Sequence, residues 1–364
     1  MRVHRVGRVL VTLLVAVFGV CAFLGYRGEV GFFGSGPAAE FVATAEQPAP
    51  APLDPVLVAD QVRPALVNIS VESSPLGLGA AGSGIVLTAD GQVLTSHHVI
   101  KGAEVLTVTD IGNGLAYNAT VLGYDSAADI ALLSLTGASG LATARLGTSA
   151  DLRIRQEVLA IGDAGGDGGA PDSVAGPITA LNATIVAMNS ADLTRKALHG
   201  MVEIAAPVVG GQSGGALVDA TGAVVGVITA ASGQRGRTGY QTTPANGYAV
   251  PIDTALRIVE QIRSGTPTES VHIGPTATLG VQIVDAEPAG AQVNWAFYGQ
   301  PARAAGIGTG DIITAVDGRA ITTAKALRSA INVRKPADVV LLDVIAPDGT
   351  TRTVEVVLGW GTPS

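Results

Sequence analysis

The sequence predicts a mainly β fold, with two β-barrels followed by a small module of mixed helix and strand. Between about Val56 and Asp253, short apolar runs are interrupted by Gly, Asp and Asn. In GSGIVLTADGQVLTS, for example, strands at 85–88 and 92–95 meet at an Ala-Asp-Gly turn. The chain has 48 glycines and only 4% aromatic residues, which suits tight turns. Over about 200 residues, this pattern favours two barrels over one.

The pattern changes after the barrels. PIDTALRIVEQIRSG predicts a helix that begins near Pro251 and ends at Gly265. From Leu279 to Gly359, strands at LGVQIV, DIITAVDG, VVLLDVI and TVEVVL and a helix at KALRSAINV predict a compact α+β module. We therefore divide the chain into a basic flank with an apolar helix (1–27), a Gly/Ala/Pro-rich linker (28–55), the barrels (56–265), a short polar linker (266–278) and the module (279–364).

The N-terminus predicts export. Arg2, Arg5 and Arg8 precede an uncharged run from Val9 to Tyr26, long enough at about 1.5 Å per residue to span roughly 27 Å of membrane. The basic flank would stay in the cytoplasm and the body would lie on the other side of a cell membrane. The alternative is a cleaved signal peptide and a secreted body, although the small-x-small site at 43–45 lies far beyond the apolar run.

Charge and cysteine content exclude several classes of protein. Four of the 22 basic residues lie in the first 27 residues, which hold no acid. The remaining 18 basic and 30 acidic residues give the body a net charge of −12, which argues against nucleic acid as a partner. Cys21 is the single cysteine, so the chain can form no internal disulfide and no cysteine-based metal site. Nothing in the sequence calls for a metal or an organic cofactor.

Three short segments contain residue types suited to nucleophilic catalysis. His97 and His98 follow a strand in VLTSHHVI, and only one of them can face a given site. Asp129 directly precedes an apolar strand, where an unpaired carboxylate would be costly, whereas Asp125 fits a turn. Ser213 lies within GGQSGG, where glycines can turn amides towards a developing oxyanion. Taken singly, these residues could equally be a structural histidine, a turn-capping aspartate and a tight loop.

Their order changes this interpretation, because His…Asp…Ser is the order of the chymotrypsin-type triad. The sequence resembles the HtrA/Deg group of bacterial trypsin-like serine proteases, which carry C-terminal PDZ domains. The resemblance covers about Val56 to Gly359. Its carriers are GSGIVLTADGQVLTSHHVIKGA, GYDSAADIALLSL, GGQSGGALVDATGAVVGV, GYAVPID and QPARAAGIGTGDIITAVDG.

The resemblance implies a chymotrypsin-like double barrel followed by a PDZ domain, and it assigns site residues. It selects His98, Asp129 and Ser213 as the catalytic triad, and the amides of Gly211 and Ser213 as the oxyanion hole. The remaining implied sites are a substrate pocket at Ile228, Thr229 and Ala230, and a loop for peptide C-termini at Leu279, Gly280 and Val281. The implied activity is cleavage of unfolded or damaged envelope proteins. The pocket strand holds no acidic residue, which predicts cleavage after small or medium apolar residues. Family members often form trimers, so a homotrimer is compatible with the resemblance.

The sequence departs from the family pattern close to the nucleophile. Gly210-Gly211-Gln212-Ser213 replaces Pro-Gly-Asn-Ser or Pro-Gly-Asp-Ser, and Gly162-Asp163-Ala164 replaces Gly-Asn-Pro. Residues 204–208 also differ from the usual Thr-Asp-Ala-Ala-Ile. A glycine in place of proline predicts a more flexible loop and a poorly formed oxyanion hole at rest. The alternative function is therefore a catalytically weak or inactive, chaperone-like binder of peptides.

Overall fold

The computed structural model describes residues 52–73, 78–188, 195–232 and 246–363. The predicted basic flank, the membrane-spanning helix and nearly all of the first linker lie outside the described residues. Within these ranges, no helix has both the length and the apolar character needed to cross a membrane.

The first barrel starts from a short helix, α1 (Pro55–Val62), whose first turn is capped by the Asp54 carboxylate. Its strands are β1 (Leu66–Ser73), β2 (Leu78–Val86), β3 (Gln92–Thr95), β4 (Val105–Asp110), β5 (Ala116–Asp125) and β6 (Ile130–Leu135). The strands neighbour one another in the order β5-β4-β1-β2-β3-β6, and pairing of β5 with β6 completes the circuit. A one-turn helix, α2 (His97–Ile100), directly follows β3 and lies at the rim of the barrel.

The second barrel is closed in the order β10-β11-β12-β9-β8-β7. Its strands are β7 (Glu157–Gly162), β8 (Asp172–Met188), β9 (Arg195–Ile204), β10 (Ala216–Val218), β11 (Val224–Ser232) and β12 (Asn246–Pro251). The helix α3 (Ile252–Arg263) follows, and its buried residues recur at helical spacing. One apolar cluster contains residues of both barrels and of α3, so the three pack around a shared core. The predicted two-barrel fold is confirmed.

The C-terminal module is a separate sheet with its own apolar core. It contains β15 (Val281–Asp285), β16 (Ala291–Ala296), α4 (Pro301–Ala304), β17 (Ile312–Val316), β18 (Arg319–Ala320), α5 (Ala324–Asn332), β19 (Val339–Ile345) and β20 (Thr351–Val357). The sheet order is β15-β16-β17-β19-β20, with β18 paired to β17. The predicted α+β character is confirmed.

The range 266–278, predicted to be a polar linker, forms two strands. The first, β13 (Val271–Ile273), pairs antiparallel with the end of β5 and so extends the sheet of the first barrel. The second, β14 (Thr276–Thr278), pairs with β21 (Gly359–Gly361), the last strand of the described chain. Polar composition concealed these strands, because their buried side chains include His272 and Thr276.

Candidate active site

His98 and Asp129 form a close pair at the rim of the first barrel. His98 lies in α2, and its Nδ1 is 2.8 Å from Asp129 Oδ2. The main-chain N–H of His98 also donates to Asp129 Oδ1, at 3.0 Å. Both carboxylate oxygens therefore engage the same histidine, which fixes the orientation of the imidazole relative to the backbone. The side chain of His98 is 36% exposed, so its outer edge can meet a ligand.

Asp129 is held in an unusual environment. Its φ is 61°, a left-handed conformation that costs free energy in a residue other than glycine. The hydroxyl of Thr229, in the second barrel, donates a hydrogen bond to Asp129 Oδ2. Burial alone would raise the pKa of Asp129, but the charge of His98 and the hydrogen bonds from His98 and Thr229 lower it to about 2. The carboxylate is thus ionised at neutral pH.

The same pairing changes the proton affinity of His98. Burial would lower the pKa of His98, whereas the charge and hydrogen bond of Asp129 raise it, and the net effect is a raised pKa. The charge of Lys196 acts in the opposite direction to Asp129. An imidazole that accepts a proton readily and is oriented by a carboxylate has the properties of a general base.

The neighbouring His97 occupies a different environment. It is buried, and burial lowers its pKa to about 3, so the ring is neutral at physiological pH. Its main-chain N–H donates to the carbonyl of Asp129 at 3.2 Å. The structure thus turns His97 into the barrel and leaves His98 beside the carboxylate, in line with the assignment implied by the family motif.

Ser213 lies in the loop before β10, where glycine is required at two positions. Gly211 has φ 92°, and a Cβ there would lie 2.0 Å from the carbonyl oxygen of Asp163. Gly214 has φ 83°, and a Cβ there would lie 2.1 Å from the carbonyl oxygen of Ser83. The Ser213 hydroxyl is 3.5 Å from the carbonyl of Thr229, at the outer limit of a hydrogen bond, so it is only weakly restrained.

The loop leaves two amides without a partner. Among the described residues, neither the N–H of Gly211 nor that of Ser213 donates a hydrogen bond within the protein. The carbonyl of Gly210 accepts the N–H of Gly165 at 2.8 Å. Because N–H and C=O point in opposite directions in a trans peptide, the Gly211 amide is directed away from Gly165. The amides of Gly211 and of Ser213 itself are therefore candidate donors to an oxyanion.

Gln212 closes this loop at the position where the family motif has Asn or Asp. Its Oε1 accepts the N–H of Val209 at 3.0 Å, and its own N–H donates to the carbonyl of Val209 at 3.3 Å. The side chain is 2% exposed. Both hydrogen bonds therefore join Gln212 to Val209, on the two sides of Gly210 and Gly211.

Sequence reasoning missed Ser83 as a supporting residue. The Ser83 N–H donates to the carbonyl of Ser213 at 2.8 Å, and its Oγ donates to the carbonyl of Gly211 at 2.9 Å. The same Oγ accepts the N–H of Asp163 at 2.8 Å. Ser83 therefore joins β2 of the first barrel to the nucleophile loop of the second. A small polar residue between two glycines, at 82–84, was the available signal.

The strand predicted to line the substrate pocket is part of β11. The side chain of Ile228 is buried in the core of the second barrel. The side chain of Thr229 points to Asp129. Only the backbone of Ala230 is described, in its pairing with Tyr248. The side chains of Ile228 and Thr229 are thus both buried, and the Thr229 carbonyl lies 3.5 Å from Ser213 Oγ, so the predicted pocket at 228–230 stays a prediction.

Asp163 is a buried carboxylate beside the nucleophile loop, where the family motif has Asn. It is 2% exposed, and its Oδ2 accepts the N–H of Gly168 at 3.0 Å. Burial raises the pKa of Asp163, and the neighbouring Asp167 raises it further.

In the part of the chain that the structure describes, no group of three or more His, Cys, Asp or Glu side chains could hold a metal ion.

The predicted peptide-binding loop lies between β14 and β15 of the C-terminal module. Gly280 has φ 71°, and its N–H donates to Thr278 Oγ1 at 3.0 Å. The Gly280 carbonyl accepts the N–H of Phe297 at 3.0 Å. Within the described ranges, β15 pairs with no strand other than β16, and the helix α5 packs beside it.

Two protein-family models match this chain, one in the barrels and one in the C-terminal module. The family model described as a trypsin-like peptidase domain matches residues 82–227. The family model for the PDZ domain matches residues 277–358. These matches, together with the names of the relatives below, confirm the resemblance to the HtrA/Deg group.

Several curated proteins are similar to this chain. Serine protease PepD of Mycobacterium tuberculosis is 34% identical over 320 residues, which cover 83% of this chain and 65% of that protein. The chloroplastic Protease Do-like 1 of Arabidopsis thaliana is 30% identical, with 79% and 65% covered. The periplasmic pH-dependent serine endoprotease DegQ of Escherichia coli is 28% identical, with 78% and 60% covered. The chain thus spans less than two thirds of the length of each of these relatives.

Solved structures are also similar. The HtrA-type protease AlgW with a tripeptide is 24% identical, with a TM-score of 0.49, and covers 84% of this chain and 96% of that chain. A serine endoprotease from Yersinia pestis is 24% identical, with a TM-score of 0.46, and covers 85% and 98%.

Proposed function

This chain is a homologue of the HtrA/DegP serine proteases with a trypsin-like peptidase domain and a PDZ domain, and we propose that it is a serine endopeptidase. The observation that carries the proposal is the position of Thr229. Its hydroxyl donates to Asp129, which pairs with His98 at 2.8 Å, and its carbonyl accepts the hydroxyl of Ser213. One residue therefore joins all three members of the proposed triad.

In the proposed reaction, His98 Nε2 takes the proton of Ser213 as Oγ attacks the carbonyl carbon of the scissile peptide. The amides of Gly211 and Ser213 stabilise the oxyanion of the tetrahedral intermediate. The C–N bond then breaks, and His98 gives its proton to the departing amine. Water, deprotonated by His98, then attacks the acyl carbon. The ester bond to Ser213 Oγ breaks, and His98 returns the proton to Oγ, which restores the serine hydroxyl. Throughout, Asp129 orients the imidazole and stabilises its charged form.

Substrate and location are proposals drawn from the relatives. The names of two relatives, a DegP-like protein of Ectopseudomonas mendocina and DegQ of Escherichia coli, include the words periplasmic serine endoprotease. These names support a location outside the cytoplasm for residues 56–364. We propose unfolded or damaged envelope polypeptides as substrates, with a peptide C-terminus bound at Leu279, Gly280 and Val281. The proposed domain boundaries remain 56–265 for the protease and 279–364 for the PDZ domain. A membrane tether at residues 1–27 and a homotrimeric assembly belong to the same proposal.

A fluorophosphonate probe tests the nucleophile without knowledge of the substrate. The full chain, purified in mild detergent, should be labelled covalently, and Ser213→Ala should abolish the labelling. Thermal unfolding of both proteins serves as the control for folding. The protease proposal fails if the unmutated chain stays unlabelled across a range of pH and with peptides bound to the PDZ domain.

The second candidate is a binder of unfolded peptides with little or no catalytic activity. The Gly-Gly-Gln-Ser sequence at 210–213 favours it, because this loop departs from the family motif. Such a protein would suppress aggregation of a denatured client equally well with and without the Ser213→Ala substitution, and it would release no fragments. Fragment release measured on a gel separates the two candidates.

A further inference from the structure

Three buried aromatic rings run from the base of the active site to the strand that precedes the PDZ domain. The ring of His97 stacks on Tyr124, with centroids 4.7 Å apart and planes 29° apart. Tyr124 stacks on His272 with a separation of 4.9 Å and an angle of 28°. All three side chains are at most 4% exposed. His272 lies outside both matched ranges, 82–227 and 277–358.

The His97 end of the stack is attached directly to the proposed triad. The N–H of His97 donates to the carbonyl of Asp129, and His98 is the next residue. Tyr124 immediately precedes Asp125, whose Oδ1 accepts the N–H groups of Ala127 and Ala128 at 2.7 and 3.0 Å. These bonds shape the turn that delivers Asp129. Tyr124 is thus in ring contact with the residue before His98 and adjacent in sequence to the turn that ends at Asp129.

The His272 end faces main-chain carbonyl groups on both sides of its ring. Burial lowers the pKa of His272, so the neutral imidazole carries one N–H and donates to one side only. Nδ1 is 2.6 Å from the carbonyl oxygen of Asn332, at the end of α5. Nε2 is 2.9 Å from the carbonyl oxygen of Gly274 and 3.1 Å from that of Pro275. The backbone of His272 is paired opposite Tyr124 in the sheet. With the proton on Nδ1, the ring donates to the Asn332 carbonyl, and its Nε2 can accept the Thr276 hydroxyl at 3.4 Å.

We propose that His272 is a positioning residue for the His98–Asp129 pair and acts through its ring contact with Tyr124 and, beyond it, His97. Close-packed rings in a barrel transmit small displacements, because the interior has no room to absorb them. A shift of the Asp129 turn would misalign His98 with the Ser213 hydroxyl, and misplacement by about 1 Å can cost roughly 100-fold in rate.

The inference rests on the proposed protease function, and two substitutions of His272 test it. His272→Phe keeps a ring against Tyr124 and loses the hydrogen bonds. His272→Gln keeps an N–H that can reach the Asn332 carbonyl and loses the ring. We expect His272→Gln to lower the maximal rate of fluorophosphonate labelling by about tenfold at unchanged probe affinity, and His272→Phe to stay within about threefold of the unmutated chain.

Matched controls separate positioning from loss of stability. Val108→Ala removes buried volume from the same barrel at a site outside the stack. His199→Gln changes an exposed histidine bonded to Thr184 on the second barrel. Both should label at the rate of the unmutated chain. If Val108→Ala slows labelling as much as His272→Gln at an equal loss of melting temperature, or if His272→Phe slows it equally, the proposal is wrong.

Proton NMR gives a second measurement that does not depend on activity. The Nδ1 proton of His98, bonded to Asp129, should give a low-field signal that shifts or broadens in His272→Gln and stays in place in His272→Phe. If the unmutated chain is not labelled by the probe, the protease function is refuted. The His98 signal then still tests whether His272 positions the His98–Asp129 pair. If His272→Gln does not fold, His97→Phe and His97→Asn make the same comparison at the other end, and equal His98 signals in those two variants would overturn the proposal.

Discussion

The first barrel holds its part of the site through side chains, whereas the second barrel presents its part through the backbone. His98 and Asp129 are joined to each other by two hydrogen bonds at 2.8 and 3.0 Å. Ser213 instead lies between Gly211 and Gly214, whose conformations no other residue could adopt without moving a neighbour. Hydrogen bonds between side chains set the pKa of the proposed base, whereas backbone conformation sets the direction of the amides that would bind an oxyanion.

The largest expected loss of labelling rate comes from changing the backbone conformation of the Ser213 loop. Gly211→Ala would place a Cβ 2.0 Å from the Asp163 carbonyl and force the loop to move. Displacing the Gly211 amide should slow fluorophosphonate labelling by about 100-fold or more, the usual cost of losing an oxyanion-hole donor. Circular dichroism should report an unchanged fold.

The adjacent glycine is the matched control for this prediction. At Gly210 a Cβ would meet no atom within 4 Å. Gly210→Ala should therefore label within about twofold of the unmutated chain, since surface substitutions without a specific contact change little. Equal rates for Gly210→Ala and Gly211→Ala would contradict the claim that the backbone aims the amides.

Thr229 connects the two halves, and its hydroxyl gives the next largest effect. Thr229→Val removes the hydrogen bond to Asp129 Oδ2 and leaves a buried carboxylate with one donor fewer. A hydrogen bond to a charged group contributes about 1.5–3 kcal/mol, so labelling should slow by about tenfold. Thr229→Ser retains the hydroxyl and should preserve most of the rate. Labelling rates of the two variants are measured at one pH. Equal rates for Thr229→Val and Thr229→Ser would show that the Thr229 hydroxyl does not support Asp129.

Much of this arrangement could be read from the sequence because it depends on local order. The motifs around His98, Asp129 and Ser213 each combine a strand end with a polar residue, and barrel topology brings strand ends together. The open question between His97 and His98 needed the family motif, since adjacent residues in VLTSHHVI carry no local sign of which one faces the site.

Other features could not be read from the sequence because they depend on contacts distant in the chain. Thr229 meets Asp129 across 100 residues, and Ser83 meets Gly211 across 128. The strand β13 was hidden because its buried residue is a histidine, which alternation of apolar and polar residues does not mark as core. Likewise, the sequence does not indicate that the buried Gln212 side chain accepts the N–H of Val209.

The smallest expected effect concerns a charge from the second barrel that acts on the first. Lys196 lies on β9, two residues before Leu198, which packs in the core shared with Ile130. The charges of Asp129 and Asp125 both act on Lys196, so its ammonium group lies near the turn that carries Asp129. Its positive charge lowers the pKa of His98, against the larger raising effect of Asp129.

The sign of the pH effect follows from the role of His98 as a base, which must be neutral to accept the Ser213 proton. Labelling should rise with pH through a pKa above the ordinary histidine value of 6.5, because the net pKa of His98 is raised. Lys196→Met should move this rise to higher pH and slow labelling at acidic pH by about twofold, with the alkaline plateau unchanged, since a partly exposed charge is screened. Lys196→Arg keeps the charge and should keep the profile. A profile that moves to lower pH in Lys196→Met, or moves equally in Lys196→Arg, would show that the second barrel does not tune the base through charge.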